Sequence, residues 1–266
     1  MRLKVKHTTS YFYSAPVDYS LQQVRMTPKQ RQGQKILDWN VSIDGGRKQL
    51  EFTDQHANHV ELISIDPGVE RIVIHVTGEV ETSDAAGILG RHQGFMPLWL
   101  FKRPTALTAP GPRIRALQKE LGADFDSDIA QAHALSALIV EHVPYATGKT
   151  DAETGAEQAV VHASGVCQDH AHIFVSVMRL LGHPARYVSG YLMMNDRVEQ
   201  DAMHAWAEAW FEGIGWVGFD VSNGYSPDER YIRVATGLDY NDASPVSGMR
   251  YGSTNEQMLV DIQVQQ

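Results

Sequence analysis

The sequence contains a single cysteine, Cys167, among its 266 residues. One thiol cannot form an internal disulfide, so the composition gives no sign of an oxidising compartment. No apolar run approaches the roughly 20 residues that cross a membrane. The N-terminus alternates apolar and basic residues and lacks the apolar stretch of a signal peptide. From these absences we expect a cytoplasmic protein.

Positive charge is also scarce. There are 23 Lys and Arg residues against 32 Asp and Glu, a formal net charge of -9 at pH 7. This balance argues against a nucleic-acid backbone or a membrane surface as the main partner. The hydrophobic content of 43% is typical of a soluble globular protein with a full core. The sequence indicates no oligomeric state.

Residues 1–82 carry the pattern of short strands separated by turns. Leu3 and Val5 alternate with basic residues, and Asp-Gly-Gly at 44–46 is typical of a hairpin turn. Further strand-like runs follow at 48–53, 60–65 and 71–81. Regular turn signals without a helical period predict an N-terminal β-sandwich over 1–82.

The remainder of the chain changes character twice. Residues 83–112 are rich in turn residues and are predicted to form a linker, with the apolar stretch at 95–101 docked on a domain. Residues 113–266 are predicted to form an α+β core, with helices packed on an antiparallel sheet. The alternating residues 258–265 indicate a closing strand of that core, and 223–257 are expected to cover the site.

Cys167 lies between a Ser-Gly turn and an apolar run at helical spacing, which ends at Gly182 and Pro184. The first turn of a helix has unpaired N–H groups and the positive end of the dipole, which favour a thiolate. The alternative is an inert buried cysteine that acts as a small hydrophobe. The polar residues 168–170 and the position of Cys167 ahead of the apolar run favour the reactive thiol.

A thiolate nucleophile needs a base, and the base needs an acceptor that orients it. The segment 204–210 alternates strictly, with alanines on one face and His204, a candidate base, on the other. The alanine face is expected to pack against a helix. Asp220 follows on the next strand, beyond a Gly-containing hairpin loop. A five-residue loop would place His204 directly opposite Asp220, a three-residue loop would make them diagonal neighbours, and a four-residue loop would require a bulge.

Two groups of histidines are candidate metal ligands: His56 with His59, and His170 and His172 with His162 and His183. His56 and His59 lie in a polar turn, and the sequence supplies no Cys or carboxylate set beside them. His170 and His172 are two residues apart on a helix, so their side chains face apart. We therefore expect neither a metal nor another cofactor.

Four blocks resemble the bacterial transglutaminase-like superfamily. They are 165–172 (Gly-Val-Cys-Gln-Asp-His-Ala-His), 184–191 (Pro-Ala-Arg-Tyr-Val-Ser-Gly-Tyr), 204–208 (His-Ala-Trp-Ala-Glu) and 215–220 (Gly-Trp-Val-Gly-Phe-Asp). The N-terminal segments 11–17 and 25–28 resemble the β-rich region that precedes this core in bacterial members. One departure is Val221-Ser222, where family members often have Pro-Thr.

The resemblance implies a papain-like core with a Cys-His-Asp triad. Cys167 would be the nucleophile, His204 the general base and acid, and Asp220 the residue that orients it. Asp169 and His172 match family positions and are interpreted as structural. The implied substrates are peptides or proteins, attacked at an amide bond through a thioester. A cysteine peptidase or amidase, a transglutaminase that uses an amine acceptor, and a non-catalytic peptide-binding module remain open, and we favour the first.

Overall fold

The structure is a computed structural model that describes residues 1–251 and 255–266. The first six strands all lie within the predicted β-rich region. They are β1 (Arg2–Tyr13), β2 (Tyr19–Val24), β3 (Gln34–Asp44), β4 (Gly46–Thr53), β5 (His59–Ile65) and β6 (Arg71–Thr82). Eight strands follow in the second part of the chain. They are β7 (Ile88–Gly90), β8 (Ala185–Leu192), β9 (Glu199–Gln200), β10 (His204–Phe211), β11 (Gly215–Phe219), β12 (Tyr231–Gly237), β13 (Val246–Tyr251) and β14 (Glu256–Gln265).

The six N-terminal strands, joined by β9, β13 and β14 from the second part of the chain, build two antiparallel sheets, in the orders β3-β6-β1-β14-β9 and β13-β2-β5-β4. Buried apolar side chains from both sheets form one cluster between them. Tyr11 and Ile74 come from the first sheet, and Val24 and Ile63 from the second. The two sheets therefore pack as the predicted β-sandwich, with alternate residues of each strand turned inward.

The last strand pairs differently from our expectation. Residues 258–265 do form a strand, but β14 pairs with β1, from Lys4↔Gln265 to Tyr13↔Glu256, and not with the sheet of the core. β1 has twelve residues, and its hydrogen-bonding groups on this side require a partner of similar length. The alternation of 258–265 fits any half-buried sheet, so it could not identify the neighbour. A division of the chain at 83–112 stays a prediction.

The α+β core carries the five α-helices of the described ranges. They are α1 (Pro112–Leu121), α2 (Asp128–His142), α3 (Ala156–His162), α4 (Cys167–Leu180) and α5 (Tyr240–Ala243). The sheet has the order β12-β8-β10-β11-β7. None of these helices is long and apolar enough to cross a membrane.

The alanine face of β10 packs against α4, as predicted. Ala207 and Ala209 are fully buried and belong to the same apolar cluster as Phe174 and Val177 of the helix. Small side chains let the helix approach the sheet closely, and the largest helix side chains fill the remaining space. Val264 of β14 also belongs to this cluster, which thus continues into the N-terminal sheet.

The predicted linker is partly structured. β7 pairs with β11 at the edge of the core sheet, and a 3₁₀ helix spans Leu98–Lys102. Of the apolar stretch at 95–101, Phe101 is buried at 2% exposure, whereas Phe95 is 90% exposed. The docking therefore uses one end of the stretch.

The close contact between α4 and β10 gives a stability prediction. Ala207→Leu inserts three carbons where no space exists, so we expect a loss of about 1–3 kcal/mol of unfolding free energy. The loss is measured as a lower midpoint of urea unfolding, with the same m-value as the wild type. Ala137→Leu, on the exposed side of α2, is the matched control and should leave the midpoint nearly unchanged. Equal midpoints for the two variants would contradict close packing at Ala207.

Candidate active site

Cys167 is the first residue of α4, and the turn before it is held by a carboxylate. The Asp169 carboxylate accepts a hydrogen bond from the backbone N–H of Val166 at 2.7 Å and one from the Thr150 hydroxyl at 2.7 Å. A Cβ at position 165 would lie 2.7 Å from Cβ of Asp169, so only Gly165 permits this approach. The arrangement fixes the start of the helix and agrees with the structural interpretation of Asp169.

His204 is the first residue of β10 and lies between the other two predicted site residues. Its Nε2 is 2.5 Å from Oδ2 of Asp220, and the ring also hydrogen bonds to Cys167. The imidazole is buried and stacks on the Trp206 ring at an interplanar angle of 28° and a centroid distance of 6.2 Å. The structure thus brings Cys167, His204 and Asp220 together.

The charge on His204 is set by its two neighbours. Burial alone would lower the pKa of the imidazole. The negative charges of Asp220 and of the Cys167 thiolate, together with hydrogen bonds to both, outweigh burial and raise the pKa of His204 to about 10. Near neutral pH the ring is therefore an imidazolium, which stabilises a thiolate beside it.

Asp220 is 1% exposed, yet it is held as a carboxylate. Its Oδ2 accepts hydrogen bonds from His204, from the Tyr231 hydroxyl at 2.6 Å and from the Asn223 amide at 2.7 Å. Burial would raise the pKa of this carboxyl, but the positive charge of His204 and the three donors lower it below its usual value. Burial and the negative charge of Asp220 raise the pKa of Tyr231, which stays a neutral donor.

The hairpin between β10 and β11 adopts the three-residue alternative. Phe211 pairs with Gly215, so the loop consists of residues 212–214. Extended by one residue, this register places Asp220 opposite Trp206, diagonal to His204. No bulge is needed to bring the two site residues to one face.

Tyr231 and Asn223 are site residues that our sequence analysis did not identify. Asn223 follows Asp220 by three residues and also donates its backbone N–H to Oδ1 at 3.2 Å, so an Asp-x-x-Asn turn was a readable signal. Tyr231 lies on β12, a strand that the mixed composition of 223–257 concealed. The hydrogen bond from Tyr231 to Asp220 depends on the order of the strands in the sheet, and no pattern in the nearby sequence indicates it.

The family departure at 221–222 also has a structural counterpart. The Ser222 hydroxyl donates to Nδ1 of His170 at 2.8 Å, while Nε2 of His170 donates to the Val143 carbonyl at 2.7 Å. His172 instead accepts from the backbone N–H of Tyr240 at 3.1 Å. The two histidines thus bind different parts of the chain, as their spacing predicted.

Glu208 shares a strand face with His204 but has different partners. Arg186 donates to its carboxylate at 2.5 Å, and Arg233 binds both oxygens at 2.6 and 2.9 Å. Burial would raise the pKa of Glu208, but the two guanidinium groups lower it well below its usual value. Arg186 also lies 3.8 Å over the Trp216 ring. Glu208 therefore belongs to a buried ion cluster and is not a second acceptor for His204.

The other candidate ligands lie in the N-terminal sheet. The polar turn with His56 and His59 has no complete set of metal ligands in its own sequence. The pairing of β4 with β5, however, brings Glu51 and Glu61 beside His59. The ammonium of Lys48 donates to Glu51 at 3.0 Å and to Glu61 at 2.8 Å, so both carboxylates of this group already have a cationic partner. His56 points elsewhere, to Asp242 at 3.1 Å.

A cavity of about 760 Å³ opens at Cys167 and His204. Its opposite wall comes from the N-terminal sheet, through Thr9 of β1 and Val260 of β14 among others. His7 also lines it, bonded to Tyr191 at 2.9 Å and Thr9 at 2.8 Å. Burial lowers the pKa of His7 to about 3, so this wall carries a neutral imidazole.

Comparisons with known proteins agree with the geometry. Residues 115–221 match the model of the transglutaminase-like superfamily, and residues 3–81 match that of the bacterial transglutaminase-like N-terminal region. A crystal structure from Cytophaga hutchinsonii, named as a proposed cysteine protease, has a TM-score of 0.76 at 22% identity. It covers 99% of this chain and 90% of its own, which establishes a shared fold.

Three sequence relatives extend the comparison. An uncharacterized protein of Mycobacterium leprae is 27% identical over 98% of both chains. A Mycobacterium tuberculosis H37Rv protein is 28% identical over 99% of this chain and 91% of its own. A protein-glutamine gamma-glutamyltransferase of Pseudomonas aeruginosa is 32% identical over 53% of this chain but only 23% of its own length. The two matched regions identify the chain as a member of the transglutaminase-like superfamily, with the N-terminal region of its bacterial members.

Proposed function

We propose that this protein is a cysteine peptidase or amidase, with Cys167 as nucleophile, His204 as general acid and base, and Asp220 as the residue that orients His204. The observation that carries the proposal is the single imidazole hydrogen bonded to both the thiol and a buried carboxylate. A helix start, a base and an acceptor in this order are the parts of a thiol acyl-transfer site.

The proposed reaction has two steps. The Cys167 thiolate attacks the amide carbonyl, and the His204 imidazolium gives its proton to the departing amine, which leaves a thioester. The neutral His204 then takes a proton from water, the hydroxide equivalent attacks the thioester carbonyl, and the carboxylic acid and thiolate are released. The N–H of Cys167, at the helix start, would stabilise the oxyanion in both steps.

Asp220 supports this chemistry without taking a proton. Its lowered pKa keeps it ionised, and its bond to Nε2 leaves the other ring nitrogen for the thiol. Tyr231 and Asn223 also donate to Oδ2 and hold the carboxylate in place. The imidazole is thus held in one orientation through both steps.

A transglutaminase reaction is the second candidate, and the name of the Pseudomonas aeruginosa relative favours it. In that reaction a primary amine replaces water at the thioester. We favour hydrolysis because water needs no dedicated acceptor site. A non-catalytic peptide-binding module is less well supported, because it would have no need of a complete and hydrogen-bonded Cys-His-Asp set.

The deciding experiment uses a pool of capped glutamine-containing peptides and a fluorescent primary amine. If the protein is a hydrolase, mass spectrometry should detect new free carboxylates, produced by peptide cleavage or by loss of the side-chain amide. The fluorescent amine should not be incorporated. Incorporation that exceeds hydrolysis would favour the transglutaminase. Products of neither kind, from protein whose thiol reacts normally, would support the binding module. Cys167→Ala is the control for each product.

The reactivity of the Cys167 thiol depends on the charge of His204. Because His204 stays protonated up to a pH of about 10, it should stabilise the thiolate at lower pH. Iodoacetamide should then modify the wild type well below the midpoint of a free thiol, about 8.5. His204→Ala should move the midpoint upward, and the exposed His162→Ala is the matched control. A wild-type midpoint at or above that of a free thiol would refute the activated pair.

The Asp220 carboxylate can be tested by a nearly isosteric substitution. Asp220→Asn leaves one side-chain oxygen for the donors that now bind Asp220, so the orientation of His204 should be lost. The equivalent change in a serine triad costs about 10⁴-fold in turnover, and we expect a smaller loss because a thiol depends less on its base.

The alkylation midpoint of Cys167 should also rise in Asp220→Asn, which requires no substrate. The exposed Asp44→Asn, in the N-terminal sheet, is the matched control. If Asp220→Asn alkylates like the wild type while His204→Ala shifts, the orienting role of Asp220 is wrong.

A further inference from the structure

The C-terminal strand β14 has one complete and one incomplete edge. Along one edge it pairs with β1 throughout, from Lys4↔Gln265 to Tyr13↔Glu256. Along the other edge it pairs with β9 at only two positions, Ile262↔Gln200 and Gln263↔Glu199. Among the described strands, none continues this pairing towards Met258, so β14 has an open edge there.

The direction of the backbone groups on this edge follows from one hydrogen bond. The N–H of Val264 donates to the Val198 carbonyl at 3.3 Å, away from β1. In an antiparallel strand, alternate residues direct both N–H and C=O to the same side. Val260 and Met258 therefore direct their N–H and C=O groups to the open edge, whereas Leu259 and Asp261 use theirs to pair with β1.

The open edge borders the proposed catalytic cavity. Met258 and Val260 line the same cavity as Cys167 and His204. Gln200 of β9, the strand that ends this edge, lines it as well. A chain that continued the sheet beyond β9 would thus run along the wall that faces the thiol.

We propose that the substrate is an extended peptide segment that adds as a strand to the open edge of β14 at Met258 and Val260. This inference rests on the proposed function, which it deepens by naming the mode of recognition. Unpaired donors and acceptors that alternate along a strand fit a peptide backbone, which supplies the complementary pattern. A small amide substrate lacks this repeating pattern of backbone donors and acceptors. Open edges normally recruit another strand or are blocked, and this one lies inside a cavity of the size that binds ligands.

The occupant is a substrate segment and not a second copy of the chain. A cavity that contains the nucleophile must stay accessible for turnover, and a partner strand fixed there would block it. Static light scattering of wild type and Val260→Pro tests this point. A wild-type dimer that Val260→Pro converts to a monomer would overturn the proposal in favour of self-association.

The main test removes one backbone donor. Val260→Pro deletes the N–H that points to the open edge and leaves the pairing of β14 with β1 intact, because that pairing uses the neighbouring residues. Val260→Ala is the matched control, since it shortens the side chain but keeps the N–H. Equal urea midpoints of the two variants establish that the proline variant is folded.

The probes are randomised tetrapeptides with a C-terminal fluoromethyl ketone, compared with the single-residue version and with iodoacetamide. We expect the wild type and Val260→Ala to react faster with the tetrapeptides than with the short probe. Val260→Pro should react with the tetrapeptides about fivefold more slowly than the wild type, because one hydrogen bond to the probe is lost. Its iodoacetamide rate should be unchanged. N-methylation of the tetrapeptide backbone should slow labelling at alternate positions only, because only alternate residues face the edge.

Three outcomes would overturn the proposal. They are equal tetrapeptide rates in Val260→Pro and the wild type, a short probe as fast as the tetrapeptides, and N-methylation tolerated at every position. An inert thiol would instead refute the proposed function. In that case fluorescence anisotropy of the labelled tetrapeptide pool on Cys167→Ser protein, with and without Val260→Pro, still decides strand addition. Equal binding by those two proteins overturns it.

Discussion

The packing of α4 on the alanine face of β10 is the constraint on which the candidate site depends. Cys167 begins the helix and His204 begins the strand, so the distance between thiol and imidazole follows from how closely the two elements approach. Alanines at 205, 207 and 209 permit that approach, and any larger residue would separate the helix from the sheet. The sequence thus sets the geometry of a polar site through residues that carry no polar atoms in their side chains.

Electrostatic balance makes the buried site possible. An isolated carboxylate at 1% exposure would be costly. Asp220 is instead compensated by the imidazolium and by Tyr231 and Asn223, each bound to Oδ2. The same principle governs Glu208, four residues along the strand from His204, which two arginines neutralise. One strand face therefore carries two separate charged clusters, and only the one beside the thiol contains a histidine.

The N-terminal sheet forms part of the candidate site and shares an apolar cluster with the core. Its strands β1 and β14 supply one wall of the cavity, and β14 pairs with β9, which lies four residues before His204. The apolar cluster around α4 includes Leu3 and Val264, so the two regions of the chain share buried surface. A change in the N-terminal sheet can consequently affect both the shape of the cavity and the segment that leads into the base.

Elements with a clear period and residues with distinctive chemistry could be predicted from local patterns. Helix α4, the alternation of β10, the β-sandwich and the set of Cys167, His204 and Asp220 could all be predicted, because each is encoded within a short stretch or in a recognisable block. The length of the loop between β10 and β11 was limited to three alternatives, because side chains of paired strands share a face only at alternate positions. Three other features could not be predicted: the pairing of β14 with β1, the hydrogen bond from Tyr231 to Asp220, and the binding of Glu208 by two arginines. These are contacts between residues far apart in the chain, and a local pattern determines which face a side chain occupies but not which distant segment lies against it.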